Sequence, residues 1–347
     1  MIPYRTLARF GTNAALQRCS PKTAITCDHI RTPSPASMET VSQLTSLLRG
    51  QQSRVPSQED WAPTETPRDV SSFVSKESEH PVGFGAFGDV YKCKWKESII
   101  AHKKTVAIKV MRSFLAENED KERNIRRWNR EIRLWQNLSH ENIMPFLGIA
   151  KQFGPLPSPV SVWMANGTAK DYLNLHPNVN RVPFLLGIAL GLQYLHGHQP
   201  QIIHGDLKPV NVLVTDWGVP CLTDFGMSRV LDDATLWKTT AGSSTGTYQY
   251  MGPELFSEEG HVSVESDIYA YAMTSYEIVT GIVPFQNLKA QAIIKAVSID
   301  NSTPPRKGVR YINDNLWDLL ESCWDSNPQK RPFIADIVAS IENIDAE

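Results

Sequence analysis

Asp206, Lys208 and Asn211 fall within six residues of one another, in the run Ile202-Ile203-His204-Gly205-Asp206-Leu207-Lys208-Pro209-Val210-Asn211-Val212-Leu213. Apolar pairs flank the polar positions on both sides, so the pattern is that of a polar loop held between buried segments. A second carboxylate follows in Leu222-Thr223-Asp224-Phe225-Gly226, after a short apolar stretch that reads as a strand. One carboxylate can orient a hydroxyl and take its proton, while an asparagine and a second carboxylate hold Mg²⁺ through hard oxygen ligands. Any one of these fragments alone is equally a turn, because Asp, Asn and Gly favour turns. Their order along the chain carries the argument.

Upstream, Val82-Gly83-Phe84-Gly85-Ala86-Phe87-Gly88-Asp89-Val90 contains GxGxxG. In a dinucleotide-binding unit such glycines open a helix. Here the residues after Gly88 have period two: Tyr91, Cys93 and Trp95 alternate with Lys92, Lys94 and Lys96. The loop therefore joins two antiparallel strands, as a flap whose backbone N–H groups can close over phosphates. Lys109 ends the apolar run Val106-Ala107-Ile108-Lys109, where an ammonium is costly without a partner. Ala107 and Lys109 share a face, which suits a flat ring beside a phosphate. Glu131, in a charged helix expected from about Asp120 to Gln136, is the natural counter-ion.

These residues need a frame of strands followed by helices. Phe184, Ile188, Leu192 and Leu195 form one helical stripe, and Ile334, Ile337, Val338 and Ile341 another. The expected fold class is α+β: a small β-rich lobe over about residues 76–164 and a larger helical lobe over about 165–347.

Residues 1–75 read as a mostly disordered leader, since residues 1–70 alone hold 16 Ser or Thr and 7 prolines. Within it, Met38, Val41, Leu44 and Leu48 recur at helical spacing, a candidate docking helix for an unidentified partner. Arg5, Arg9, Arg18 and Lys22 precede the first acid, Asp28, as in a mitochondrial presequence, but the hydrophobic face is weak. An intracellular, cytoplasmic location is expected, with organelle targeting the alternative. The five cysteines are an odd number without a CxxC pair, which fits a reduced compartment and no structural metal. With 35 basic against 37 acidic side chains the chain lacks the basic footprint of a nucleic-acid binder. The most apolar stretch, Val182 to Leu195, is too short to span a membrane.

From about Pro81 to Ile344 the chain resembles the eukaryotic protein kinase domain. The motifs occur in the family's order: glycine loop, Lys109, Glu131, Asp206 to Asn211, Asp224-Phe225-Gly226 and Gly252-Pro253-Glu254. Gly246-Thr247-Tyr248-Gln249-Tyr250-Met251 and the Cys323-Trp324 to Arg331-Pro332 ending resemble the tyrosine-kinase-like branch, and Lys208-Pro209 resembles serine/threonine specificity. The resemblance implies a bilobal fold and transfer of the γ-phosphoryl group of Mg-ATP to Ser or Thr of a protein substrate. It implies Asp206, Lys208 and Asn211 as catalytic residues and Asn211 and Asp224 as metal ligands. It further implies that Val82, Gly83, Gly85, Gly88, Val90, Ala107, Lys109, Glu131, Met164 and Leu213 bind ATP, with Ser161 behind the adenine and Val162-Trp163-Met164 as hinge. Glu254 and Arg331 would pair, and His204 and Asp267 would be structural.

Three residues depart from the family pattern. Gly205 stands where an arginine is usual, Gly252 where an alanine is, and Ala272 where a glycine is. Gly205 offers no side chain to a phosphate on Thr239, Thr240, Ser243, Ser244 or Thr245, so activity without loop phosphorylation is expected. The alternatives are a scaffold that binds nucleotide without efficient transfer, which would be expected to lack Lys109, Asp206 or Asp224, and tyrosine or dual specificity.

Overall fold

The computed structural model of the protein describes residues 66–84, 88–96, 104–112, 120–224, 229–230, 247–306 and 312–346. Gly85, Phe225, Gly226, the five loop hydroxyls from Thr239 to Thr245 and the helix expected around Met38 to Leu48 lie outside the described residues.

Six antiparallel strands build the smaller lobe: β1 (Val74–Lys76), β2 (Gly83–Phe84), β3 (Gly88–Trp95), β4 (Lys104–Met111), β5 (Phe146–Ala150) and β6 (Ser158–Val162). Their order is β1-β3-β4-β6-β5, with β2 also paired to β3. The period-two pattern sorts the faces. Cys93, Val106 and Ile108 point into the core, each at most 2% exposed, whereas Lys94 is exposed and Ala107 and Lys109 share the opposite, half-buried face of β4. Helix α1 (Asp120–Gln136) follows β4 over the expected span and buries Trp128, Glu131, Ile132 and Trp135.

The expected leader boundary needs correction, because the sheet already includes residues well before 76. The Val70 N–H donates to Ile149 O at 2.8 Å, the Ile149 N–H donates to Arg68 O at 2.8 Å, and Val70 is fully buried. The Lys151 N–H donates to Ser71 Oγ, after which β1 pairs with β3. Residues 68–76 thus form a strap from the β5 edge of the sheet to the β3 edge. Gly148, at φ 145°, accommodates it: a Cβ there would lie 2.5 Å from Arg68 O.

The larger lobe holds α2 (Ala169–Leu175), α3 (Val182–His196), α4 (Val264–Thr280), α5 (Ala290–Ser298), α6 (Asp314–Cys323) and α7 (Ile334–Ala346). The α3 stripe of Phe184, Ile188, Leu192 and Leu195 is buried, and α3 packs along α7, which buries Ile337, Val338 and Ile341. Burial of each such side chain contributes roughly 1.5–3 kcal/mol. Helix α4 starts at a Ser263–Ser266 capping box and is buried along nearly its whole length, including the polar side chains of Asp267, Thr274, Ser275 and Glu277. Among the described residues, four short strands run between α3 and α4: β7 (Ile202–Ile203), β8 (Val212–Val214), β9 (Pro220–Leu222) and β10 (Arg229–Val230). β8 pairs with β9 and β7 with β10. No helix among the described residues is long and apolar enough to cross a membrane.

Candidate active site

The polar loop lies between β7 and β8, and buried hydrogen bonds hold it from beneath. Asp267, on the first turn of α4, is 1% exposed and accepts the His204 N–H and the Gly205 N–H, each at 2.8 Å. His196, the last residue of α3, places Nε2 2.9 Å from the same carboxylate. His204 is fully buried, with Nε2 3.2 Å from Thr223 O. Gly205 adopts φ 77°, a left-handed conformation that costs a side-chain-bearing residue roughly 1–2 kcal/mol. Glycine at this position therefore fits the turn that presents Asp206.

Asp206, Lys208 and Asn211 converge. Lys208 Nζ donates to both Asp206 oxygens, at 3.0 and 2.8 Å, and to Thr247 Oγ1 at 3.1 Å. Asn211, on the 3₁₀ turn Pro209–Asn211, donates from Nδ2 to Asp206 O at 2.7 Å and to Asp206 Oδ2 at 3.1 Å. Its amide nitrogen is committed inward, which leaves the amide oxygen as the atom available to a cation. The Thr223 N–H donates to Asn211 O at 3.0 Å, tying this loop to Asp224.

Asp224 is one of three described non-glycine residues with positive φ, at 65°. Strained backbone of this kind concentrates at functional sites. Asp224 Oδ1 accepts from Lys109 Nζ at 3.0 Å, and Glu131 Oε1 accepts from the same ammonium at 2.7 Å. Burial opposes the charge on Lys109, but the Asp224 and Glu131 carboxylates outweigh it and hold its pKa above the ordinary lysine value. Burial likewise works against ionised Asp224, and Lys109, helped by His204 and Lys208, keeps it below the usual carboxylate range. Both groups are charged at neutral pH.

Above this cluster, Val90 pairs in register with Lys109, and Gly83 pairs with Val90. Gly88 stands opposite Met111, and Val82, at the edge of the flap, is half exposed. Ala107 pairs with Ser161, after which Val162, Trp163 and buried Met164 leave the sheet. Leu213, on β8, bridges to Thr168, just beyond that crossing. Glu254 and Arg331 form a bidentate pair at 2.7 and 2.8 Å, away from the loop.

Two groups at the site escaped the sequence reading. Thr247 reaches Lys208 from 39 positions along the chain, which no spacing rule reveals. His196 carried one usable signal, a histidine ending the apolar α3 stripe where a buried partner is needed.

Residues 77–341 match the family described as protein tyrosine and serine/threonine kinase. The chain belongs to this kinase family. Among its relatives, serine/threonine-protein kinase VIK of Arabidopsis thaliana is 30% identical over 299 residues, covering 84% of this chain and 63% of VIK. Serine/threonine-protein kinase CTR1 of the same plant is 29% identical over 74% of this chain and 30% of CTR1. Dual specificity protein kinase splA of Dictyostelium discoideum is 28% identical over 79% of this chain and 12% of splA. The chain thus spans less than two thirds of the length of these curated relatives. The kinase domain has the bilobal α+β architecture, with the sheet as its N-lobe and the helices as its C-lobe.

Proposed function

We propose that this protein is a serine/threonine kinase that transfers the γ-phosphoryl group of Mg-ATP to hydroxyl groups of a protein substrate. The observation that carries the reading is the Lys208 ammonium held between the Asp206 carboxylate and the Thr247 hydroxyl, beside a loop tied to Asp224. Asp206 orients the substrate hydroxyl and receives its proton, and Lys208 offsets charge on the phosphoryl group as it moves. Lys109, aligned by Glu131, holds the α and β phosphates. The flap of Val82, Gly83, Gly85 and Gly88 covers the phosphates. Val90, Ala107 and Leu213 enclose the adenine, whose edge meets the backbone at Met164.

The donor chemistry of Asn211 and Asp224, one amide oxygen and one carboxylate, fits Mg²⁺. When bound there, Mg²⁺ neutralises phosphate charge. The residues upstream of 66 are the segment we assign to partner binding. The buried free thiols of Cys93, Cys221 and Cys323 support an intracellular, reducing setting, with the cytoplasm preferred over an organelle.

Transfer of labelled γ-phosphate to a generic protein substrate, with and without Mg²⁺, tests the reading. Asp206→Asn is expected to lower turnover by about 10²- to 10⁴-fold, with label recovered on Ser and Thr. Turnover of the variant within threefold of wild type, or label on Tyr alone, overturns it.

A further inference from the structure

Helix α1 carries Glu131 between two tryptophans, Trp128 three residues before it and Trp135 four residues after. At helical spacing all three project from one face. Both indoles are buried, at 2% and 4% exposure, and each donates its N–H to a main-chain carbonyl outside the helix. Trp128 Nε1 donates to Pro157 O at 2.8 Å, and Trp135 Nε1 donates to Met144 O at 2.6 Å.

The two acceptors lie on the segments that frame the site. Pro157 immediately precedes β6, the strand that carries Ser161 and leads toward Met164. Met144 donates its own N–H to Leu222 O at 2.9 Å, and Leu222 stands two residues before Asp224. The Trp128 ring also lies 5.5 Å from Lys109 Nζ, within range of a cation–π attraction, and packs with Met111, Ile132 and Ile149. Trp135 belongs instead to the core of the larger lobe and tilts against Phe146 at 5.6 Å.

We propose that Trp128 and Trp135 are positioning residues for phosphoryl transfer: two indole staples, one on each side of Glu131, that hold α1 with its carboxylate on Lys109. The proposal rests on the kinase reading and deepens it. A phenylalanine would keep an aromatic ring in either space, but only the indole N–H adds a penalty for displacing the helix, because moving α1 breaks a buried N–H bond to a carbonyl. The staples join the helix to β6 and to the strand leading into Asp224, so Glu131, Lys109 and Asp224 are held together by contacts built into the fold. With Gly205 offering no side chain to a loop phosphate, this arrangement keeps α1 in place from within.

The test is a double-mutant cycle. Trp128→Phe and Trp135→Phe are each made in the full chain and in Glu131→Gln, and both kcat and the Kd for Mg-ATP are measured. In the native background each substitution is expected to lower kcat or weaken Mg-ATP binding about three- to tenfold, whereas in Glu131→Gln neither has a further effect beyond about 1.5-fold. Equal losses in both backgrounds, or none in either, overturn the proposal by showing that the indoles do not act through Glu131. If a Phe variant fails to fold, benzothienylalanine at the same position keeps the ring shape and removes only the donor, and the same two outcomes decide. Absence of transfer by the wild type overturns the kinase reading instead, and the cycle on Mg-ATP affinity then decides the staple proposal separately.

Discussion

Two charged clusters anchor the kinase domain, and their stoichiometry differs. At Arg331 one guanidinium meets one carboxylate, Glu254, in a two-pronged pair, and further bonds to Glu265 O and Asp325 O complete it. The Arg331 side chain is 0% exposed. At Lys109 one ammonium serves two carboxylates, with side-chain exposures of 16% for Lys109 and 26% for Asp224. The first cluster is balanced in charge, although Glu254 itself is 20% exposed, so nothing is gained by adding a cation. The second has one more carboxylate than cation, so it can take up further positive charge or share its ammonium with a phosphate. Completeness marks a structural pair, and an unbalanced set marks a site where chemistry is done.

Neutralising the carboxylate of the balanced cluster should unsettle the larger lobe. Glu254→Gln leaves Arg331 buried without its counter-charge, which costs about 3–5 kcal/mol. Thermal unfolding should shift down by roughly 6–20 °C for a domain of this size. A shift below about 2 °C would mean that the pair is not the fastener it resembles.

Truncation has an effect of comparable size. A chain starting at residue 66 retains the strap and should match the full chain in melting temperature. A chain starting at residue 77 loses the buried side chains of Val70 and Val74, worth about 3–6 kcal/mol together. Equal melting temperatures for the two truncated chains would show that the strap does not hold the sheet.

The smallest effect is on pH. His140 and His198 flank Tyr194, with ring centroids at 4.9 and 6.1 Å, and burial lowers the pKa of both from 6.5. The unfolded chain therefore binds protons that the folded one refuses as pH drops below about 6.5. Stability is fully present above that value and declines as pH falls toward the depressed folded pKa values. Melting temperatures recorded from pH 8 to pH 5.5 should be flat at first and then fall. A rise on acidification would contradict the assignment.

Much of the frame was legible because its signals are local. The bounds of α1 follow from a charged amphipathic run, and the inward face of β4 follows from alternation. The placement of Ala107 and Lys109 on one face needed only the period of a strand. The strap was not legible, because residues 66–76 offer few apolar side chains among Ser, Pro and charged residues, and their pairing is with Ile149, far along the chain. The same holds for Thr247 and for the two indole bonds of α1. Each is a contact, from 9 to 39 positions along the chain, whose residue types, taken singly, predict only burial or a turn. The grouping of Asp206, Lys208 and Asn211 lies at the other extreme, since one short loop carries all three.

The comparison of clusters is tested most directly by Asp224→Asn, the same acid-to-amide change made in the unbalanced set. It removes the excess charge and leaves Lys109 and Glu131 as a matched pair, and asparagine tolerates the left-handed backbone of that position. The melting temperature should fall by clearly less than in Glu254→Gln, because Lys109 keeps Glu131 as its counter-ion, while phosphoryl transfer falls by about 10²- to 10³-fold. A melting temperature lowered as in Glu254→Gln, or transfer within threefold of wild type, would contradict the account.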